Sequence, residues 1–217
     1  MLFTPARMPM GAAGPFLRGA MMRLKKIGAA AFCVGLLAMN AWGEDWKPDA
    51  GFVSLYNGKD LSGWCYVVDG KEQAFEGKGE ASDGRYTAKG DAIVVNAHDP
   101  AKGPRIRQLY TTQQFSKDFV LKLEFRAAVN ADSGIFLRKT QLQCRDYLVA
   151  GPYKELKKYK PQEWNTILVT VKGGVATCEC NGEVLEAALK LPASGPIGLE
   201  ADRGQMEYRH IQIKMAD

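Results

Sequence analysis

The chain has little histidine: His98 and His210 are the two copies in 217 residues. It has no CxxC pair, and neither histidine stands at ligand-like spacing from a cysteine. A zinc site is therefore not expected, and no metal or cofactor is assigned. It lacks a Ser-His-Asp arrangement, a phosphate loop and a dinucleotide fingerprint, which removes the mechanisms those motifs carry. Helical periodicity is nearly absent. One short helical turn near Tyr153 to Lys158 is the exception. No apolar run is long enough to span a bilayer comfortably. The longest candidate, Ile27 to Ala38, is too short.

That run reads instead as the core of an export signal. Met22-Arg23-Leu24-Lys25-Lys26 is a positive n-region, and Ala41-Trp42-Gly43 offers a small-x-small cleavage site. We expect residues 1–43 to be a leader and residues 44–217 a single domain outside the cytoplasm, periplasmic or extracellular, with no stable membrane span. Cys33 raises a lipid anchor, but Phe32 stands where a small residue is wanted. The leader holds five basic and no acidic residues, which leaves 24 of each sign in the remainder. A formally neutral domain gives no reason to expect nucleic acid as a partner. The basic stretch Lys154 to Lys160 reads as a solvated loop face. Cys65, Cys144, Cys178 and Cys180 follow the leader. An exported protein could pair them or bury them as free thiols, but Cys178 and Cys180 share one strand face and do not suit each other.

What fills the rest is short alternating runs broken by Gly, Asn, Asp and Pro, the pattern of antiparallel strands. Phe119 to Arg126 is the clearest: Phe119, Leu121, Leu123 and Phe125 take one face, and Val120, Lys122, Glu124 and Arg126 the other. Strands are also read at Phe52–Tyr56, Arg85–Thr87, Ala92–Asn96, Gln108–Thr112, Ser133–Arg138, Gln141–Asp146, Ile197–Glu200 and Tyr208–Met215. Trp164–Lys172 and Val175–Cys180 form a hairpin around Gly173-Gly174, and Asn181-Gly182 turns into Glu183–Leu185. Residues 67–84 read as loop. So many short strands predict an all-β, two-sheet antiparallel β-sandwich.

Several segments in order resemble one family. They are Gly51 to Trp64, Phe119 to Arg126, Asp132 to Arg138, Glu163-Trp164-Asn165, Cys180 to Glu183, Gly195 to Glu200 and Glu207 to Lys214. The set is similar to the 3-keto-disaccharide hydrolase domain family. The resemblance implies a jelly roll of the concanavalin A-like lectin/glucanase type with a carbohydrate groove on one curved sheet. It also implies an exported hydrolase or lyase acting on 3-keto-glycosides. The sequence departs from the family in a short stretch, Tyr147 to Glu163, and in Ala201 to Gly204, where many members carry a histidine. A non-catalytic carbohydrate-binding module and an interaction domain of the same fold stay open beside the enzyme.

A ketone at C3 acidifies the proton at C2, so cleavage by elimination needs a base, a partner for the enolate oxygen and an acid for the leaving oxygen. Parity sends Glu124, Arg126, Phe136, Arg138, Gln143 and Arg145 away from the core, and neighbouring strands would gather them into one patch. Glu124 of that patch and Asp146, which ends its strand, are expected to do acid/base work, and Arg138 to contact an oxyanion or hydroxyl. Arg126, Phe136, Gln143, Arg145 and Glu200 are expected to bind the sugar. Trp64 and Trp164 read as core anchors, His98 as a surface residue, and His210 as able to face either way.

Overall fold

The computed structural model describes residues 46–149 and 151–216. The leader, the expected start at Glu44 and Cys33 lie outside the described residues. Fourteen strands and no helix occur among the described residues, and every pairing is antiparallel. They form a two-sheet sandwich of jelly-roll type, as the alternation predicted.

The eight-stranded sheet runs β12 (Glu183–Lys190), β11 (Val175–Cys180), β10 (Asn165–Lys172), β7 (Phe119–Ala127), β14 (Met206–Met215), β5 (Ala92–Val95), β4 (Tyr86–Lys89), with β1 (Val53–Ser54) also on β14. The six-stranded sheet runs β3 (Lys71–Ala74), β2 (Trp64–Val68), β6 (Arg107–Thr111), β13 (Ile197–Ala201), β8 (Asp132–Leu137), β9 (Thr140–Arg145). Consecutive strands β7 and β8 thus belong to different sheets. Residues 67–84, expected as loop, contain the end of β2 and all of β3. The expected strand at Phe52–Tyr56 shrinks to two residues. The stretch expected as a helical turn, Tyr153 to Lys158, contains turns and no helix.

The inner faces carry the period-2 apolar sets. Leu121, Leu123 and Phe125 of β7 and Ile167 and Val169 of β10 are fully buried against Leu109, Ile135, Leu142 and Leu199 of the other sheet. Each such side chain contributes roughly 1.5–3 kcal/mol of burial. All four cysteines described are buried free thiols. Trp64 is a core anchor and donates its indole N–H to Leu55 O at 2.8 Å. Trp164 is not: it lies half-buried on the outer side under the guanidinium of Arg209, 4.0 Å from its ring centroid.

Two polar clamps cross the core and fix β13. The Tyr86 hydroxyl bridges Arg107 O at 2.7 Å and Leu199 O at 2.8 Å. The Ser133 hydroxyl lies 2.7 Å from the Tyr208 hydroxyl and donates to Glu200 O. Buried polar groups satisfied in this way rigidify the strand that carries Glu200.

Candidate functional site

The outer face of the six-stranded sheet carries the densest chemistry. Cross-strand register sets Gly198 beside Tyr110 and Phe136, and Glu200 beside Gln108. On the next pair, Gly134 lies beside Gln143 and Asp132 beside Arg145. Two glycines make the arrangement possible. A Cβ at Gly198 would stand 2.6 Å from the Tyr110 ring and 3.1 Å from Phe136 Cβ, so both aromatics fold over bare backbone. They meet edge-to-face with centroids 5.9 Å apart. A Cβ at Gly134 would stand 2.5 Å from Gln141 Nε2, so the Gln141 side chain crosses that strand to reach Glu200.

Glu200 sits at the centre and is 8 % exposed. Gln108 Nε2 donates to Oε1 at 3.1 Å, and Gln141 Nε2 donates to Oε2 at 2.6 Å. No cation pairs with it among the described residues. Burial raises its pKa above the ordinary carboxylate range. The amide of Gln108 pulls it down, and the negative charges of Asp202 and Asp132 add to the rise. A second carboxylate, Asp132, is held differently. Gln143 Nε2 donates to its Oδ1 at 2.8 Å, and Arg145 pairs with its Oδ2 at 3.2 Å. Glu200 and Asp132 therefore differ in partners: neutral amides alone for one, a guanidinium for the other.

The expected patch divides in two. Phe136, Gln143, Arg145 and Glu200 share this face. Glu124 and Arg126 stand on β7 in the other sheet, so the assumption that the three strands neighbour one another fails. Glu124 accepts from Arg209 Nε at 2.7 Å, and Arg126 pairs with Glu207. Arg138 does not point out to solvent. It is 2 % exposed, at a φ of 50°, and donates to Lys117 O at 2.6 Å and Pro192 O at 3.2 Å. Asp146 is buried and accepts from Asn130 N at 3.1 Å and from the Tyr159 hydroxyl at 3.4 Å, tying the ends of neighbouring loops together. The three residues expected to be catalytic are thus on separate parts of the sandwich.

Sequence reading missed Gln108, Tyr110, Asp132 and Gln141. Parity held the signal: Asp132 alternates with Phe136, and Gln141 with Gln143. His98 lies in a loop with Nε2 2.9 Å from Gly103 O. His210 faces outward on the eight-stranded sheet, stacked on Trp46 at 4.6 Å. Among the described residues no three His, Cys, Asp or Glu side chains are grouped as metal ligands.

The face presents a buried carboxyl, amides and aromatic rings, groups suited to binding a carbohydrate. The chain is a member of the 3-keto-alpha-glucoside-1,2-lyase-like domain family, whose model matches residues 51–214. Two solved structures from Parabacteroides distasonis, both named provisionally as glycosyl hydrolases, share the fold. The first has a TM-score of 0.58 at 17% identity, covering 77% of this chain and 95% of its own. The second has a TM-score of 0.51 at 17% identity, covering 70% and 99%. A search of curated proteins finds no match.

Proposed function

We propose that the protein is an exported enzyme that cleaves 3-keto-glycosides by elimination on the outer face of the six-stranded sheet, with Glu200 moving the proton. The observation that carries this reading is a carboxyl buried at the centre of that face, held by two neutral amides and no cation, beside an aromatic pair. A carboxylate whose pKa lies above the ordinary range is a stronger base when ionised. It removes the proton from C2, and the electron pair passes into the C3 carbonyl to form an enolate. The enolate reforms the ketone as the C1–O bond breaks, which leaves a C1=C2 double bond. The proton held on Glu200 is then available to the departing oxygen. Addition of water at C1 would complete net hydrolysis. Tyr110 and Phe136 offer ring faces to the sugar, and Gln108, Gln141 and Gln143 offer amides to its hydroxyls. The Asp132–Arg145 pair bounds the site.

Consumption of a 3-keto-disaccharide by the purified domain, with the enone or free sugars detected as product, tests the reading. No turnover by wild type, or full turnover by Glu200→Gln, overturns it. Saturable sugar binding without turnover would select a carbohydrate-binding module. Export is tested by N-terminal sequencing of the mature protein, expected to begin at Glu44.

A further inference from the structure

The eight-stranded sheet has a cleft of its own, of about 550 Å³, lined in part by Trp46, Tyr56, Lys59, Asp91 and His210. His210 reaches it because β14 bulges. Arg209 pairs with Glu124 and Gln212 with Lys122, so His210 and Ile211 together stand where β7 has Leu123 alone. A bulge of this kind re-aims a side chain. Ile211 fills the core, and His210, at a φ of 53°, turns to the outer face. Its ring lies flat on Trp46, with centroids 4.6 Å apart and planes 8° from parallel. Asp91 comes from the β4–β5 hairpin, which turns on Gly90 and Asp91. The pairing of Ala92 with Arg209 brings Asp91 alongside His210. The Tyr56 hydroxyl donates to Gly90 O at 2.9 Å and ties that turn down.

Both ring nitrogens of His210 face carboxylates. Nδ1 lies 3.2 Å from Glu124 Oε2, and Nε2 lies 3.4 Å from Asp91 Oδ2. An imidazole is mostly neutral at pH 7 and then has one N–H. It can serve one carboxylate and must turn a lone pair toward the other. Arg209 serves the Glu124 side, its Nε 2.7 Å from Oε2, and stands 3.7 Å from Asp91. Two carboxylates against one guanidinium leave the cluster with a net negative charge. Lys59 lines the same cleft and makes no ion pair among the described residues. The opposition of lone pair and carboxylate therefore falls between Nε2 and Asp91, where a cation removes it. The spacing there is that of two ligands on one metal: bonds of about 2.1 Å at the tetrahedral angle set nitrogen and oxygen roughly 3.4 Å apart. On the far side of the ring, Glu124 has the place of the outer carboxylate in a carboxylate–histidine–zinc triad. It meets the other nitrogen, so it is no third ligand, in keeping with the lack of a three-residue group among the described residues.

We propose that His210 Nε2 and Asp91 bind a zinc-type divalent cation in this cleft, with Glu124 fixing the imidazole tautomer and water completing the coordination. The site is a weak one, since structural zinc takes four protein ligands. It does not depend on the Glu200 reading. Its test is zinc chloride titrated at pH 7 into the metal-free mature protein, followed by calorimetry and by NMR of the imidazole nitrogens. The chain has two histidines, so His98 serves as the internal control. The His210 signals are expected to shift saturably while those of His98 stay. Affinity is expected to fall by about tenfold or more in Asp91→Asn and in His210→Asn, by loss of a ligand. Asparagine tolerates left-handed backbone, and thermal melts check that both variants fold. Asp91 is exposed on its turn, so Asp91→Asn alone carries the test if His210→Asn does not fold. Magnesium chloride, whose cation prefers oxygen ligands, is expected not to move the His210 signals. The proposal is overturned by an unmoved His210, by zinc affinity unchanged in Asp91→Asn, by an equal response at His98, or by magnesium acting as zinc does.

Discussion

Gln141 Nε2 reaches across the bare backbone of Gly134 to donate to Glu200 Oε2 at 2.6 Å. This bond, with its counterpart from Gln108, leaves Glu200 satisfied by neutral groups but not neutralised. A carboxyl so placed has a raised pKa, and the sign of the linkage follows. Between the unfolded value near 4.5 and the higher folded value the native state binds more protons, so stability falls as pH rises through that window. At neutral pH an ionised Glu200 is a cost.

Glu200→Gln should therefore separate stability from activity. Turnover of a 3-keto-glycoside is expected to fall by about 10²–10⁴-fold, the usual contribution of a positioned acid/base. The melting temperature at pH 7 is expected to rise, because the variant removes a desolvated charge. Calorimetric melts beside initial-rate measurements check both. A variant less stable than wild type at pH 7 would contradict the account of Glu200 as a desolvated carboxyl.

Gly198→Ala should act through volume alone. Gly198 does not have a positive φ, so alanine is allowed by the backbone, but its methyl must displace the Tyr110 ring. Overpacking of this kind costs about 1–3 kcal/mol. Sugar affinity, read by titration, is expected to fall about tenfold. The double variant Gly198→Ala/Tyr110→Ala relieves the clash and should regain stability without regaining affinity. Additive losses in the double variant would show that the two residues do not meet as described.

The β-sandwich was legible because each inner strand face is written in period-2 apolar residues, and β7 or β11 can be read to within a residue. The make-up of the candidate face was half legible. Parity placed Phe136, Gln143, Arg145 and Glu200 outward, and it would have placed Asp132 and Gln141 there too. What parity cannot carry is which strands share a sheet. β7 and β8 are consecutive, yet the chain crosses to the other sheet after Ala127, and Glu124 and Arg126 go with β7. Nor does alternation describe a turn. Arg138 continues the outward parity of Phe136, but a left-handed φ swings it into the protein. The β2–β3 hairpin was missed because all of β3 is exposed, leaving no apolar face to betray it.

Arg138 should behave as a structural residue. Its guanidinium satisfies Lys117 O and Pro192 O and lies over the Phe119 ring, 5.5 Å from the centroid. Arg138→Met strips two carbonyls of their donor, and the cost is expected at roughly 2–5 kcal/mol. Arg138→Lys cannot reach both carbonyls with one ammonium and should recover less than half of that loss. Urea unfolding of the three proteins checks the order. A full-strength fold with turnover abolished would instead restore Arg138 to the reacting groups.

The outer face of the eight-stranded sheet makes a prediction in pH. A bulge in β14 turns both Arg209 and His210 outward, with His210 at a φ of 53°. Its Nδ1 lies 3.2 Å from Glu124 Oε2 and its Nε2 3.4 Å from Asp91 Oδ2, with the ring stacked on Trp46. Burial lowers the imidazole pKa below 6.5, and the Arg209 cation lowers it further. Glu124 and Asp91 pull the other way without reversing the shift. The unfolded chain therefore takes up the proton first as pH falls. The contribution of His210 to stability is fully present above about pH 6.5 and is lost in the window below it. His210→Asn keeps a residue that tolerates left-handed backbone and removes the titration. Urea melts of both proteins from pH 8 to pH 5 should show wild type losing stability relative to the variant below pH 6.5. Wild type gaining on the variant in that range would mean that Glu124 and Asp91 hold the imidazolium more strongly than burial and Arg209 oppose it.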